Sequence, residues 1–181
     1  PEERQKLVIY INPPYAEAGN KKIKSSNSGL SSKEGTAINN ATYWKYKDIL
    51  SKASNELFAQ FFIRIYKEIP SCRLAEFSKL KILQAPNFAD FRKHFLAKLE
   101  KAFIVPADSF DNVKGSFPIG FFIWDTNTKE AFSRIEADVY NKKCQSIGEK
   151  TIFSYDRLTP ISKWYFEILD PQGKIGHLSC R

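Results

Sequence analysis

Apolar and polar positions divide the chain into recognisable elements. Leu7-Val8-Ile9-Tyr10-Ile11 is an unbroken apolar run with three β-branched residues. It predicts a strand, Lys6–Ile11, covered on both faces in the middle of a parallel sheet. Pro13 and Pro14 end it by removing two backbone donors, and Asn12, preceding a proline, is held extended. Residues 16–42 are almost devoid of apolar side chains. A helix opens between Tyr43 and Lys52, and Ser54 reads as the N-cap of the next one. In that helix Leu57, Phe58, Phe61, Phe62, Ile65 and Ile69 form one stripe, and Pro70 stops the run.

Further on, Leu74, Phe77, Leu80 and Ile82 predict a strand from Cys72 to Leu83. Pro86-Asn87 then starts a helix, with Asn87 as cap and Asp90 beside the positive helix end. Phe88, Phe91, Phe95 and Leu99 point inward, while Arg92, Lys93 and Lys98 lie outside, and His94 falls at the surface or its boundary. Residues 102–105 and 117–125 are apolar strands. Phe132–Tyr140 and Thr151–Tyr155 read as short strands around a polar turn, Asn141–Lys150. Thr159-Pro160 caps a last helix whose apolar face is Ile161, Trp164, Tyr165, Ile168 and Leu169.

This order predicts an α/β fold: a mainly parallel sheet with helices on both faces, whose strand Phe117–Asp125 returns as a hairpin against Phe103–Val105. The exit at Asn12 then lies at the carboxyl end of a strand, where open α/β sheets bind ligands. Fifteen phenylalanines and 43% hydrophobic residues exclude a disordered chain. No apolar run approaches the roughly 18–20 residues that cross a membrane, and no signal peptide opens the chain. A net charge of +8, from 28 basic and 20 acidic residues, favours a polyanionic partner. Cys72, Cys144 and Cys180 are odd in number and widely spaced, as expected of reduced thiols in a cytoplasmic protein. With only His94 and His177, and no Cys-x-x-Cys pair, no zinc site is expected. The chain contains no methionine and begins at Pro1, immediately before the first strand, as expected of a piece of a longer polypeptide.

Asn12-Pro13-Pro14-Tyr15 resembles the catalytic motif of S-adenosylmethionine-dependent amino-methyltransferases, above all those that methylate N6 of adenine in DNA within bacterial restriction-modification systems. The resemblance implies that the Asn12 side-chain oxygen and the Pro13 carbonyl accept both N–H bonds of an exocyclic amino group. Its lone pair is then localised toward the methyl donor. Proline suits the second role because its backbone is rigid. Tyr15 would stack on the base, which such enzymes extrude from the duplex, and Pro14 holds the turn between them. In the same family an aromatic residue in a later loop packs on the opposite face of the base. Phe110 is the first candidate for this, and Phe117 the second. The lysine-rich stretch 16–42, with Lys21, Lys22, Lys24 and Lys33, reads as a flap that orders on DNA phosphates, or as a solvated loop. Lys114 lies in the same loop as the two phenylalanines, within reach of a phosphate.

The resemblance covers residues 6 to 125 and implies a partial Rossmann-like methyltransferase sheet. Residues 1–130 are the second half of a catalytic domain, and 131–181 an accessory region or the start of a target-recognition region. The family's glycine-containing cofactor loop is missing; of the cofactor-binding residues only Asn12 is present. The resemblance therefore implies an N-terminal cofactor-binding half in the same polypeptide, DNA as substrate and S-adenosylmethionine as cofactor. Two alternatives remain open: a protein glutamine-amide N-methyltransferase, whose acceptor is also a planar amide nitrogen, and a DNA-binding or specificity module without catalysis.

Overall fold

Residues 7–14, 37–69, 71–110 and 117–154 are described in the computed structural model, and they form one six-stranded sheet with helices packed against it. The strands are β1 (Val8–Ile11), β2 (Arg73–Lys79), β3 (Ala97–Pro106), β4 (Pro118–Lys129), β5 (Arg134–Tyr140) and β6 (Ser146–Phe153). Their spatial order is β1-β2-β4-β3-β5-β6. β1 is parallel to β2, and β3 to β5, whereas β4 runs against both its neighbours and β6 against β5. Four of the six strands thus point the same way, but three of the five pairings are antiparallel, because the reversed β4 lies between β2 and β3. The sheet is mixed. The expected hairpin is present, with Phe103 opposite Phe121 and Val105 opposite Ile119.

Helices α1 (Ala41–Leu50), α2 (Leu57–Glu68), α3 (Lys81–Gln84) and α4 (Ala89–His94) connect β1 to β3 through β2. α1 begins at Asn40, whose Oδ1 accepts the Tyr43 N–H at 2.8 Å and so satisfies one of the helix's free donors. Leu50, Phe58, Phe62, Ile63, Phe91 and Phe95 from this layer join Leu74, Phe122, Trp124, Ala137 and Ile152 of the sheet in one buried cluster. Burying each of the large side chains among these contributes on the order of 2 kcal/mol. All the described α-helices belong to this cluster, so among the described residues helices cover one face and not both. The predicted helix at 159–170 lies outside the described residues.

The opposite face carries a band of rings. Tyr10 contacts Phe121 at 6.2 Å between centroids, Phe121 contacts Phe77 and Phe103 at 4.8 Å each, and Phe103 contacts Tyr140 at 5.8 Å. A smaller buried cluster of Val105, Ala107 and Ile119 sits beside them.

Several expectations need correction. Among the described strands β1 is outermost, not central, and Val8 and Tyr10 are 63% and 65% exposed. Strand alternation turns Ile9 and Ile11 toward the helices and leaves Val8 and Tyr10 on the ring-bearing face, flanked among the described strands by β2. The strand predicted from Cys72 to Leu83 ends at Lys79, and residues 81–84 turn into α3. α2 is preceded by Glu56, not capped by Ser54, whose hydroxyl donates to Ser51 O. Phe61 is 42% exposed while Ile63 is fully buried, because α2 is rotated relative to the predicted stripe. The helix predicted from Asn87 is a 3-10 turn, Pro86–Phe88, followed by α4, and Leu99 belongs to β3. Arg92 is buried, its guanidinium donating to Ile82 O and Ala85 O. The polar turn predicted at 141–150 is confined to 141–145, since β6 starts at Ser146.

Gly120 lies in mid-β4, where the Phe122 ring folds back across it. A Cβ there would stand 2.6 Å from Phe122 Cε2 and 3.0 Å from Leu80 Cδ2. Phe122 is fully buried. Gly120→Ala is expected to destabilise the fold by about 1–3 kcal/mol, read as a lower urea midpoint at unchanged slope.

Candidate active site

The site is built where β1 ends. Its partner β2 runs parallel to it in the register Val8–Arg73 to Ile11–Glu76, so both strands deliver their carboxyl ends to one rim. β3 and β5 point the same way and end at that rim too. Asn12 is exposed there, Pro13 is buried and Pro14 is exposed. With no amide hydrogen on either proline, the rim at this point offers acceptors rather than donors. Tyr15, Lys21, Lys22, Lys24 and Lys114 lie outside the described residues.

Phe110 follows a 3-10 turn, Ala107–Ser109, at the end of β3. It is partly buried against the small cluster and meets Phe77 edge-on at 5.2 Å. Phe77 lies one residue past the Ile11–Glu76 pair and contacts Tyr10 at 6.4 Å. A chain of rings, Tyr10–Phe77–Phe110, therefore links the motif strand to the loop that carries Phe110. Phe117 is 41% exposed at the other end of that loop, its carbonyl accepting the Ala107 N–H at 2.8 Å.

Behind the motif, Pro14, Asn40, Thr42, Leu57, Gln60, Phe61 and Arg64 line a cavity of about 360 Å³. Asn40 Nδ2 donates to Gln60 Oε1 at 3.0 Å, and Gln60 Nε2 donates to Ser54 O at 2.7 Å and to Ala37 O. This amide pair locks the start of α1 to α2. Arg64 donates to Thr42 Oγ1 and to Glu68. Hydrogen bonds from Lys45, Tyr46 and Arg64 hold the Glu68 carboxyl down at about 2. Apolar Pro14, Leu57 and Phe61 share the cavity's walls with the amides of Asn40 and Gln60, the Thr42 hydroxyl and the Arg64 guanidinium. Sequence reasoning missed the cavity; the legible trace is one glutamine, Gln60, set between the apolar runs Leu57-Phe58-Ala59 and Phe61-Phe62-Ile63 of α2.

Glu76 was also not anticipated. It is fully buried on the helix side of β2, level with Ile11. Its Oε1 accepts the Trp124 indole N–H at 3.0 Å, and its Oε2 has no hydrogen-bond partner among the described residues. Burial pushes its pKa up to about 8, against the opposing bonds from Trp124 and Ser78. The carboxyl is therefore mostly protonated at neutral pH and puts little negative charge beside the motif. Among the described residues no group of three or more His, Cys, Asp or Glu could hold a metal ion, and no helix is long and apolar enough to cross a membrane.

No protein-family model matches the sequence, and no curated protein matches it either. Among solved structures the chain is similar to a modification subunit ascribed to a type I restriction enzyme from Vibrio vulnificus YJ016. The TM-score is 0.50, at 12% identity, over 87% of this chain and 36% of that one. Similarity to the type IIG restriction endonuclease BpuSI has a TM-score of 0.45, with 15% identity over 80% of this chain and 18% of that one. DrdV in a DNA complex also scores 0.45, with 13% identity over 83% of this chain and 15% of that one. The chain thus spans 36% or less of the length of these proteins. What it shares with the modification subunit is the fold.

Proposed function

We propose that this chain is the substrate-side part of a methyltransferase that modifies the exocyclic N6 of an adenine extruded from DNA, within a restriction-modification system. The observation that carries the reading is the placement of Asn12-Pro13-Pro14 at the carboxyl end of β1, on the rim that also carries Phe110. The fold shared with a modification subunit and the +8 charge support it.

In this reading the Asn12 carboxamide oxygen and the Pro13 carbonyl accept the two N–H bonds of the target amino group. The ring system withdraws the nitrogen lone pair, and two fixed acceptors return it to the nitrogen. Acceptors fixed before the reaction cost no reorganisation when charge develops. Tyr15 and Phe110 hold the extruded base between aromatic faces, and Lys21, Lys22, Lys24 and Lys114 hold phosphates of the flanking backbone. Phe117 is a second position for the outer ring.

S-adenosylmethionine supplies the methyl group in such a reaction. The described rim beside the motif fits it poorly: Ile11 and Phe77 are apolar, and the Glu76 carboxyl is buried toward the helices. The reading places the cofactor site in another part of the same polypeptide, upstream of β1.

The test is transfer of labelled methyl groups to genomic DNA by the polypeptide extended upstream, followed by digestion to nucleosides. Label in N6-methyldeoxyadenosine is expected. Label in a glutamine peptide instead would assign the motif to protein methylation. DNA binding without transfer to any acceptor would leave a binding or specificity module.

A further inference from the structure

We propose that the hairpin formed by β5 and β6 is a DNA-contacting arm, with Lys142 and Lys143 at its tip engaging the phosphate backbone of the same duplex some distance from the extruded base. The inference rests on the DNA reading above and names a contact surface which that reading does not contain.

The hairpin does not exist to fill the core. Ile135, Ala137, Val139 and Ile152 tie it to the buried cluster, but Ser146 to Lys150 are exposed on both faces and Ile147 is 64% exposed. β6 pairs only with β5 among the described strands.

The tip is nevertheless built. Asn141 N donates to Gln145 O and Cys144 N to Asn141 O, each at 2.9 Å. The Asn141 Oδ1 accepts from the backbone N–H groups of Lys143 and Gln145, and its Nδ2 donates to Gln145 Oε1. One asparagine therefore fixes a turn that presents two adjacent lysines. Among the described residues the ion pair Lys142 makes is an exposed 3.4 Å contact with Asp108, with 65% of its side chain accessible. Such a pair is weak and yields readily to a phosphate.

Position supplies the remaining argument. β5 is parallel to β3 and so points its carboxyl end to the rim where β1 ends. Following the register across the sheet, Ile11 is level with Glu76, Phe122 and Ala102, and so with Ala137. Three more residues of β5 then carry the tip roughly 10 Å further, at about 3.3 Å per residue. Four strand spacings separate β1 from β5, roughly 19 Å. That corresponds to about six base pairs at 3.4 Å each, so the motif and the tip can address one face of a single duplex. The major groove is about 12 Å wide and admits a two-stranded β-ribbon.

The test is fluorescence anisotropy of the chain on a duplex at several salt concentrations. The Lys142→Ala/Lys143→Ala double variant is compared with Lys129→Ala, a lysine at the opposite end of β4, and circular dichroism checks the fold of each. Each phosphate contact contributes about 0.9 to the slope of log affinity against log salt. The double variant is expected to lose between about 1 and 2 from that slope and about tenfold or more in affinity near 0.1 M salt, with Lys129→Ala unchanged. If the chain binds duplex DNA and the double variant binds with the same slope, the hairpin is not an arm, while the DNA reading stands. If the native chain binds no duplex at all, the DNA reading falls and the arm with it.

Discussion

At pH 8 the Glu76→Gln variant is expected to resist urea better than the native chain, and the advantage should disappear as the pH falls toward 4.5. Glu76 is fully buried, and burial raises its pKa from 4.5 to about 8. Below pH 4.5 both the folded and unfolded chains hold the proton, and the titration takes nothing from stability. Between about 4.5 and 8 the unfolded chain releases the proton while the folded chain keeps it, so stability falls as pH rises. The slope is at most about 1.4 kcal/mol per pH unit. By pH 8 the accumulated loss is on the order of 4 kcal/mol, which is large against a typical domain stability of about 5–15 kcal/mol. Glutamine keeps the acceptor for the Trp124 indole and removes the titration. The variant's stability should therefore be flat across this window while the native chain's declines. A constant offset between the two at every pH would show that Glu76 is not buried as a neutral acid. The choice of residue bears on the site, because a charged carboxylate level with Ile11 would repel phosphates at the rim.

The sequence made the local features legible and left the long-range ones hidden. The apolar run from Leu7 to Ile11 and the Pro-Pro exit were readable because a strand and its end depend on adjacent residues. The β3–β4 hairpin was readable from two apolar runs joined by a glycine-containing loop. Leu80 and Ile82, by contrast, fit strand alternation and a helical turn equally well, and α3 begins between them. Leu99 continues the helical spacing of Phe91 and Phe95, but α4 stops at His94 and Leu99 falls in a strand. Arg92 reads as a surface charge because the carbonyls that accept from it, at Ile82 and Ala85, come from another turn of the chain. The outermost place of β1 was hidden for a related reason: hydrophobicity records what a strand can pack against, not which strands flank it. At the site, the motif announced itself as chemistry in consecutive residues. The cavity uniting Pro14 with Asn40, Gln60 and Arg64 exists only once α1 and α2 are packed.

The largest functional effect is expected at Asn12. Its carboxamide oxygen is one of two proposed acceptors for the target N–H bonds, and the residue is exposed at the carboxyl end of β1. Alanine there removes the acceptor and leaves Pro13 buried and β1 paired with β2, so the fold should persist. Loss of one preorganised polar group at a reacting centre costs on the order of 100- to 1000-fold in rate. DNA binding, which the proposed reading assigns to lysines elsewhere, should be nearly unchanged. The most direct measurement is therefore the rate of labelled methyl transfer from S-adenosylmethionine to adenine-containing duplex DNA, by the polypeptide extended upstream and by its Asn12→Ala variant, with circular dichroism and DNA affinity followed in parallel. A fall of at least about 100-fold in transfer, with fold and affinity retained, is the predicted result. Undiminished transfer by Asn12→Ala would contradict the account and reduce the motif to a Pro-Pro strand exit.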